Sequence, residues 1–127
     1  MRIISNGIDL IECRRIEQVW RRHPDRFLAR ILTAAERAYC LRRKNPVPSI
    51  AGRFAAKEAV LKVLGTGWRG AIAWTDMEVT NDAAGRPSVA LTGACQDIAA
   101  GLGIEQILIS VTHTEHYAAA SAIGIGI

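Results

Sequence analysis

Asp9, Glu58, Lys62, the tripeptide Gly65-Thr66-Gly67 and His113 are the residues whose types and spacing could carry chemistry in this chain. Glu58 and Lys62 are four residues apart, so on a helix they lie about 40° from each other, one turn apart. Fully exposed, such a pair stabilises by only about 0.2–0.5 kcal/mol. The neighbours argue for more. Phe54 and Leu61 flank the pair, and Ala56, Ala59, Val60 and Val63 make the opposite side apolar, so the pattern leaves no solvated face. A charge at the border of a core must be paired, ligated or functional. Asp9 stands between Ile8 and Leu10, where an apolar stretch ends. It is either an N-cap for a following helix or a metal ligand. Two carboxylates from separate elements suit Mg²⁺, which takes one or two carboxylates and fills its shell with water and phosphate oxygens. Lys62 would offset phosphate charge. The glycines beside Thr66 let the backbone approach a ligand closely, although Gly-Thr-Gly also serves simply as a turn. His113, in "SVTHTEHYAAA", reads as a hairpin-turn residue, either solvated or facing a ligand; His23 and His116 carry less. No HExxH helix occurs, and no Ser/His/Asp order supports nucleophilic catalysis.

These residues need elements to hold them. The β-branched start predicts a strand over 3–10, and the spacing of Ile16, Val19 and Trp20 predicts a helix over 11–22. Pro24 ends that helix, and a short helical stretch follows over 26–32. Thr33 with Glu36 three residues later is a capping box, opening a helix that runs to about position 43. "NPVP" is a loop. "GRFAAKEAVLKVLGTG" belongs to a helix over 49–64, stopped by Gly65 and apolar nearly all round except at Lys57, Glu58 and Lys62. "MEVTN" and "RPSVALT" are strands around the turn "DAAG". A helix over 93–102 ends at Gly103, and "QILISVT" and "YAAASAIGIGI" close as a hairpin. The order of elements predicts an α+β fold, an antiparallel sheet packed with helices, in a single domain over 1–127.

Composition narrows the function classes. A chain of 127 residues that is 50% apolar is globular, with a core that is marginal alone. No apolar run approaches a membrane span, and "MRIISNGIDL" lacks the apolar core of a signal peptide. Cys13, Cys40 and Cys95 are widely spaced without a CxxC pair, which fits buried free thiols better than zinc ligation or disulfides. These features point to the cytoplasm. The net charge of +4 is local: Arg14, Arg15, Arg21, Arg22, Arg26 and Arg30 are followed by Arg37, Arg42, Arg43 and Lys44, and the last third is nearly free of base. Such a surface attracts an anionic partner. A small basic nucleic-acid-binding domain is the alternative reading, but aromatic residues make up only 6% and no recognition motif appears.

Three segments, "NGIDLIECRRIE", "AGRFAAKEAVLKVLGTG" and "ISVTHTEHYAAA", resemble in order and spacing the holo-acyl-carrier-protein synthase family, the small bacterial 4′-phosphopantetheinyl transferases. The likeness extends over nearly the whole chain. It implies the 4′-phosphopantetheinyl transferase fold. It also implies transfer of 4′-phosphopantetheine from coenzyme A to a serine of apo acyl carrier protein, in fatty acid biosynthesis or for another carrier. The other product would be adenosine 3′,5′-bisphosphate. The resemblance places Mg²⁺ on Asp9 and Glu58, and makes Asp9, Glu58 and Lys62 catalytic. Glu58, directly or through a water, would take the serine proton. Coenzyme contacts are implied for Arg43, Lys44, Arg53, Lys62, Gly65, Thr66, Gly67 and His113, with the block 42–45 reaching a neighbouring protomer's coenzyme phosphate. Carrier docking is implied for Arg15, Arg22, Arg26 and Phe27, and a homotrimer with active sites between protomers for the assembly. Nucleic acid and membrane are not among the implied partners. The glycine-rich end "AIGIGI" departs from the family's charged or β-branched ending. An interaction subunit with the fold but no activity is opposed by the intact Asp9, Glu58 and Lys62.

Overall fold

The computed structural model describes residues 1–67 and 70–127. Strands β1 (Arg2–Glu12), β4 (Gln106–His113) and β5 (Tyr117–Gly126) form an antiparallel sheet with β5 in the middle. β2 (Met77–Asn81) and β3 (Pro87–Leu91) form a separate antiparallel hairpin. The helices are α1 (Cys13–Arg22), α2 (Pro24–Ile31), α3 (Ala34–Leu41), the long α4 (Val47–Leu64) and α5 (Gly93–Gly101), with a 3₁₀ turn at Trp74–Asp76. The α+β reading of the sequence therefore stands. Among the described residues no helix is long and apolar enough to cross a membrane.

Boundaries move for physical reasons. β1 continues two residues past the expected end because pairing with β5 persists to Glu12 opposite Tyr117, so α1 begins at Cys13. Pro24 does end α1, and it also starts α2, occupying the first turn, where a missing N–H costs nothing. The capping box at Thr33 and Glu36 is present, with reciprocal bonds of 3.3 and 2.9 Å, but α3 stops at Leu41. α4 starts at Val47, earlier than expected: Pro48 is tolerated in its first turn, and Asn45 Oδ1 accepts from the Val47 amide. Gly65 ends it in a left-handed conformation, φ 73°. The unusual glycines of the last strand face inward. A Cβ on Gly124 would meet Val63 Cγ1 at 2.8 Å, and one on Gly126 would collide with the Gly103 carbonyl.

α4 is the spine. Its first half packs through Val47, Ile50 and Ala51 on Cys13 and Ile16 of α1, Leu28 and Ile31 of α2, and Cys40 of α3. Its second half packs through Ala59, Val60 and Val63 on the alanines of β5 and on Met77, Val79 and Cys95. Each large aliphatic buried this way contributes about 1.5–3 kcal/mol. Cys13, Cys40 and Cys95 are buried free thiols; burial pushes the Cys95 thiol up to about 11 from 9.0, with Asp76 adding to the shift.

One charge on α4 is fully inside, and it is not the pair singled out by spacing. Lys57 is 0% exposed and Glu36 is 1% exposed. Lys57 Nζ donates to Glu36 Oε1 (2.6 Å), to the Ile31 carbonyl (2.7 Å) and to the Trp74 carbonyl (3.2 Å), which uses all three ammonium hydrogens. Glu36 also accepts from the Thr33 amide through Oε1 and from the Val79 amide (2.9 Å) through Oε2. Burial pulls the Lys57 ammonium below the usual lysine value, against the opposing pull of Glu36. Replacing Lys57 with Met leaves Glu36 buried without its cation. Urea denaturation is expected to show a loss of about 3–5 kcal/mol; a loss below about 1 kcal/mol would show that the pair does not hold the fold.

Candidate active site

Gly7 lies where β1 touches α4. A Cβ there would collide with the Ala59 carbonyl oxygen and come within 2.7 Å of Lys62 Cβ. The bare glycine lets strand and helix backbones meet, and two residues later Asp9 opens onto the same cleft as Glu58. That cleft, of about 330 Å³, is also lined by Arg15 and Val19 of α1, Phe27 of α2 and Phe54 of α4. Asp9 is a mid-strand residue opposite Ala120, and the residue before α1 is Glu12, so the N-cap reading of Asp9 falls away.

Lys62 is not at a core border as its pattern implied. Its side chain is 54% exposed, its Nζ donates to the Ile8 carbonyl at 2.6 Å, and Asp9 Oδ1 stands 3.5 Å away. The lysine is thus anchored to β1 beside a carboxylate and keeps a solvent-facing side. Three residues on, Gly65, Thr66 and Gly67 form the exposed to half-exposed end of the helix, with Thr66 Oγ1 donating to the Gly67 carbonyl at 3.2 Å.

The donor set can be matched to a metal class. Among the described residues no group of three or more His, Cys, Asp or Glu could hold an ion. The cleft therefore offers two carboxylates, a set that fits Mg²⁺ with water and phosphate oxygens completing its shell. It does not fit the three or four nitrogen and sulfur ligands of zinc.

The other expected coenzyme contacts gather elsewhere. Arg43, Arg53 and His113 line a second cleft of about 270 Å³ with Tyr39, Gly52 and Asn81. Arg53 precedes Glu58 by five residues, about 140° around α4, so one helix faces both clefts. His113 is the last residue of β4, paired with Ala118 at the root of the hairpin and not in its turn. Lys44 is exposed on the stretch after α3. Arg22 and Arg26 are exposed on α1 and α2, while Arg15 and Phe27 belong to the first cleft. Within one chain, then, His113, Arg43 and Arg53 do not join Asp9 and Glu58.

Sequence reasoning passed over Gly7, Tyr39 and Asn81. Gly7 left a signal in the "GID" tripeptide. Tyr39 left one in its i+3 and i+4 spacing from Arg42 and Arg43. Asn81 left none, because only the hairpin brings it to Arg53 (2.8 Å).

The 4′-phosphopantetheinyl transferase superfamily model matches residues 5–121, and the chain belongs to this superfamily. A holo-[acyl-carrier-protein] synthase of Koribacter versatilis is 48% identical over 121 residues, covering 95% of this chain and 97% of its own. The crystal structure of a holo-[acyl-carrier-protein] synthase from Neisseria meningitidis superposes with a TM-score of 0.88 at 31% identity, covering 98% of this chain and 99% of that one. The Bacillus anthracis synthase in complex with CoA (3′,5′-ADP) gives 0.81 at 33% identity and 98% of both chains.

The glycine contact is testable. Gly7→Ala forces β1 off α4 and moves Asp9 relative to Glu58. Transferase activity is expected to fall roughly 100-fold, and circular dichroism to show a folded but less stable protein. Activity within twofold of wild type would contradict the contact's role.

Proposed function

We propose that this chain transfers 4′-phosphopantetheine from coenzyme A to a serine hydroxyl of an apo acyl carrier protein and releases adenosine 3′,5′-bisphosphate. The observation that carries the reading is the cleft that Asp9 of β1 and Glu58 of α4 both line, with Lys62 beside Asp9. The relatives' names and the Bacillus anthracis coenzyme complex support the same donor and acceptor.

Asp9 and Glu58 would hold Mg²⁺, which supplies charge neutralisation on the diphosphate when bound. Glu58 accepts the proton of the serine hydroxyl, directly or through a water. The serine oxygen bonds to the β-phosphorus, and the bond from that phosphorus to the bridging oxygen breaks. Lys62 Nζ, tethered to the Ile8 carbonyl, presents positive charge to the phosphate oxygens as charge builds on the leaving group. Gly65, Thr66 and Gly67, at the end of α4, would lie along the coenzyme.

Arg43, Lys44, Arg53 and His113 would meet coenzyme held by an adjacent protomer, because one chain separates them from Asp9 and Glu58. A homotrimer supplies that arrangement. The outer face of the sheet supports assembly: Ile8 is 68% exposed, Leu10 66% and Leu108 46%, and large apolar side chains left on a surface favour contact with a partner. The whole chain acts as one domain, and the reaction belongs to the cytoplasm.

Mass spectrometry tests the reading directly. With apo carrier protein, coenzyme A and Mg²⁺, the carrier is expected to gain about 340 Da, the mass of the transferred group, and EDTA to abolish the gain, as metal-assisted transfer requires. No gain, or a gain that survives EDTA and the Asp9→Asn variant, would overturn it.

The basic surface beside the cleft would dock the acidic carrier. Arg22→Glu with Arg26→Glu is expected to raise the carrier-protein KM at least tenfold at low salt while the coenzyme A KM stays put. Equal changes in both constants would remove the docking role.

A further inference from the structure

The second cleft carries an unusual charge arrangement around Tyr39. The guanidinium carbons of Arg53, Arg43 and Arg42 lie 4.3, 4.8 and 5.4 Å from the centre of its ring. Arg43 Nη2 also donates to the Tyr39 hydroxyl at 2.6 Å. Among the described residues none of the three arginines forms an ion pair with a carboxylate. Arg53 is 7% exposed, and its Nη2 donates to Asn81 Oδ1 (2.8 Å) and to the Val79 carbonyl (3.4 Å). Its Nε is buried with no hydrogen-bond partner. Three like charges thus converge on one neutral ring, and one of them is buried with a donor unspent.

The choice of an aromatic ring has a physical consequence. A carboxylate would hold arginines together equally well, but it would cancel their charge and repel an incoming anion. An aromatic face attracts guanidinium through its quadrupole and leaves the net positive charge intact. It also restricts long side chains before a ligand arrives, so less freedom is lost on binding. A phosphomonoester, with two negative charges and several acceptor oxygens, matches a pair of fixed guanidinium groups.

We propose that Tyr39 is a positioning residue, a role that rests on the transferase reading: its ring and hydroxyl hold Arg43 and Arg53 as a preformed receptor for the coenzyme's 3′-phosphate and so set the preference for a 3′-phosphorylated donor. Arg43 and Arg53 touch the phosphate; Tyr39 acts through them. The reacting diphosphate is handled in the other cleft, so Tyr39 governs donor selection and not the chemical step.

The test compares coenzyme A with its 3′-dephospho form as donor, at saturating carrier protein, for wild type, Tyr39→Leu and Tyr39→Phe. Tyr39→Leu is expected to raise the coenzyme A KM roughly tenfold while leaving kcat and the dephospho-donor KM unchanged. Tyr39→Phe keeps the ring and the core volume and is expected to raise only the coenzyme A KM, about threefold. A merely structural role for Tyr39 would move both donors together, so an equal rise overturns the proposal. An unchanged coenzyme A KM in both variants, or a wild type that does not distinguish the donors, also overturns it. If Tyr39→Leu does not fold, Tyr39→Phe decides by the same criterion. Wild-type protein that transfers from neither donor overturns the transferase reading instead.

Discussion

The buried Glu36–Lys57 pair is the constraint from which the rest of the architecture follows. α4 is apolar on almost every side, so apolar burial alone says little about how the helix is rotated in its socket. Lys57 removes that freedom. Its ammonium reaches partners on three elements, the end of α2, the start of α3 and the Trp74 turn, and Glu36 carries the network on to β2. An ammonium misplaced by one helical step would be buried unpaired, at a cost of several kcal/mol. With Lys57 turned inward, Glu58 is rotated about 100° away, toward β1 and the cleft. Arg53, one turn before Lys57, is held on the other side by Asn81. A satisfied core pair therefore aims the two cleft-facing sides of one helix.

The approach of β1 to that helix is the second constraint. Gly7 on β1, and the alanines and glycine on the inner face of β5, keep the sheet close to α4. Small residues here give up side-chain burial, since each missing methylene forgoes about 0.8 kcal/mol. What the protein gains is geometric: a strand carboxylate and a helix carboxylate open onto one cleft. On the sheet's other face the apolar residues Ile8, Leu10 and Leu108 are exposed.

Positive charge is laid out in two separate fields. α1 and α2 carry arginines beside the carboxylate cleft, and a second group collects around Tyr39 on the far side of α4. Asp9 and Glu58 share the first cleft with Arg15. In the proposed reaction a long anionic donor and an acidic acceptor would approach the carboxylate cleft from different directions.

Much was legible in the linear chain. Period and caps gave the element types, the Thr33 capping box and the Gly65 stop, because these are local bonds between residues a few positions apart. The "GID" and "AAKEAVLK" segments drew attention to Asp9, Glu58 and Lys62 as charges among apolar neighbours; the fold brings Asp9 and Glu58 to one cleft and sets an exposed Lys62 beside Asp9. The chain alone misjudged which charge is buried: spacing drew attention to Glu58 and Lys62, while Lys57 goes inside. That outcome depends on Glu36, which is 21 positions away in sequence. The extent of β1 and the start of α4 also lay beyond local reading, since pairing with β5 and a proline-tolerant first turn decide them. Tyr39 with Arg53, and Arg53 with Asn81, are contacts that only the folded chain assembles. Residue type sets what a group can do; the long-range packing of α4 against β1, α3 and the hairpin decides which groups meet.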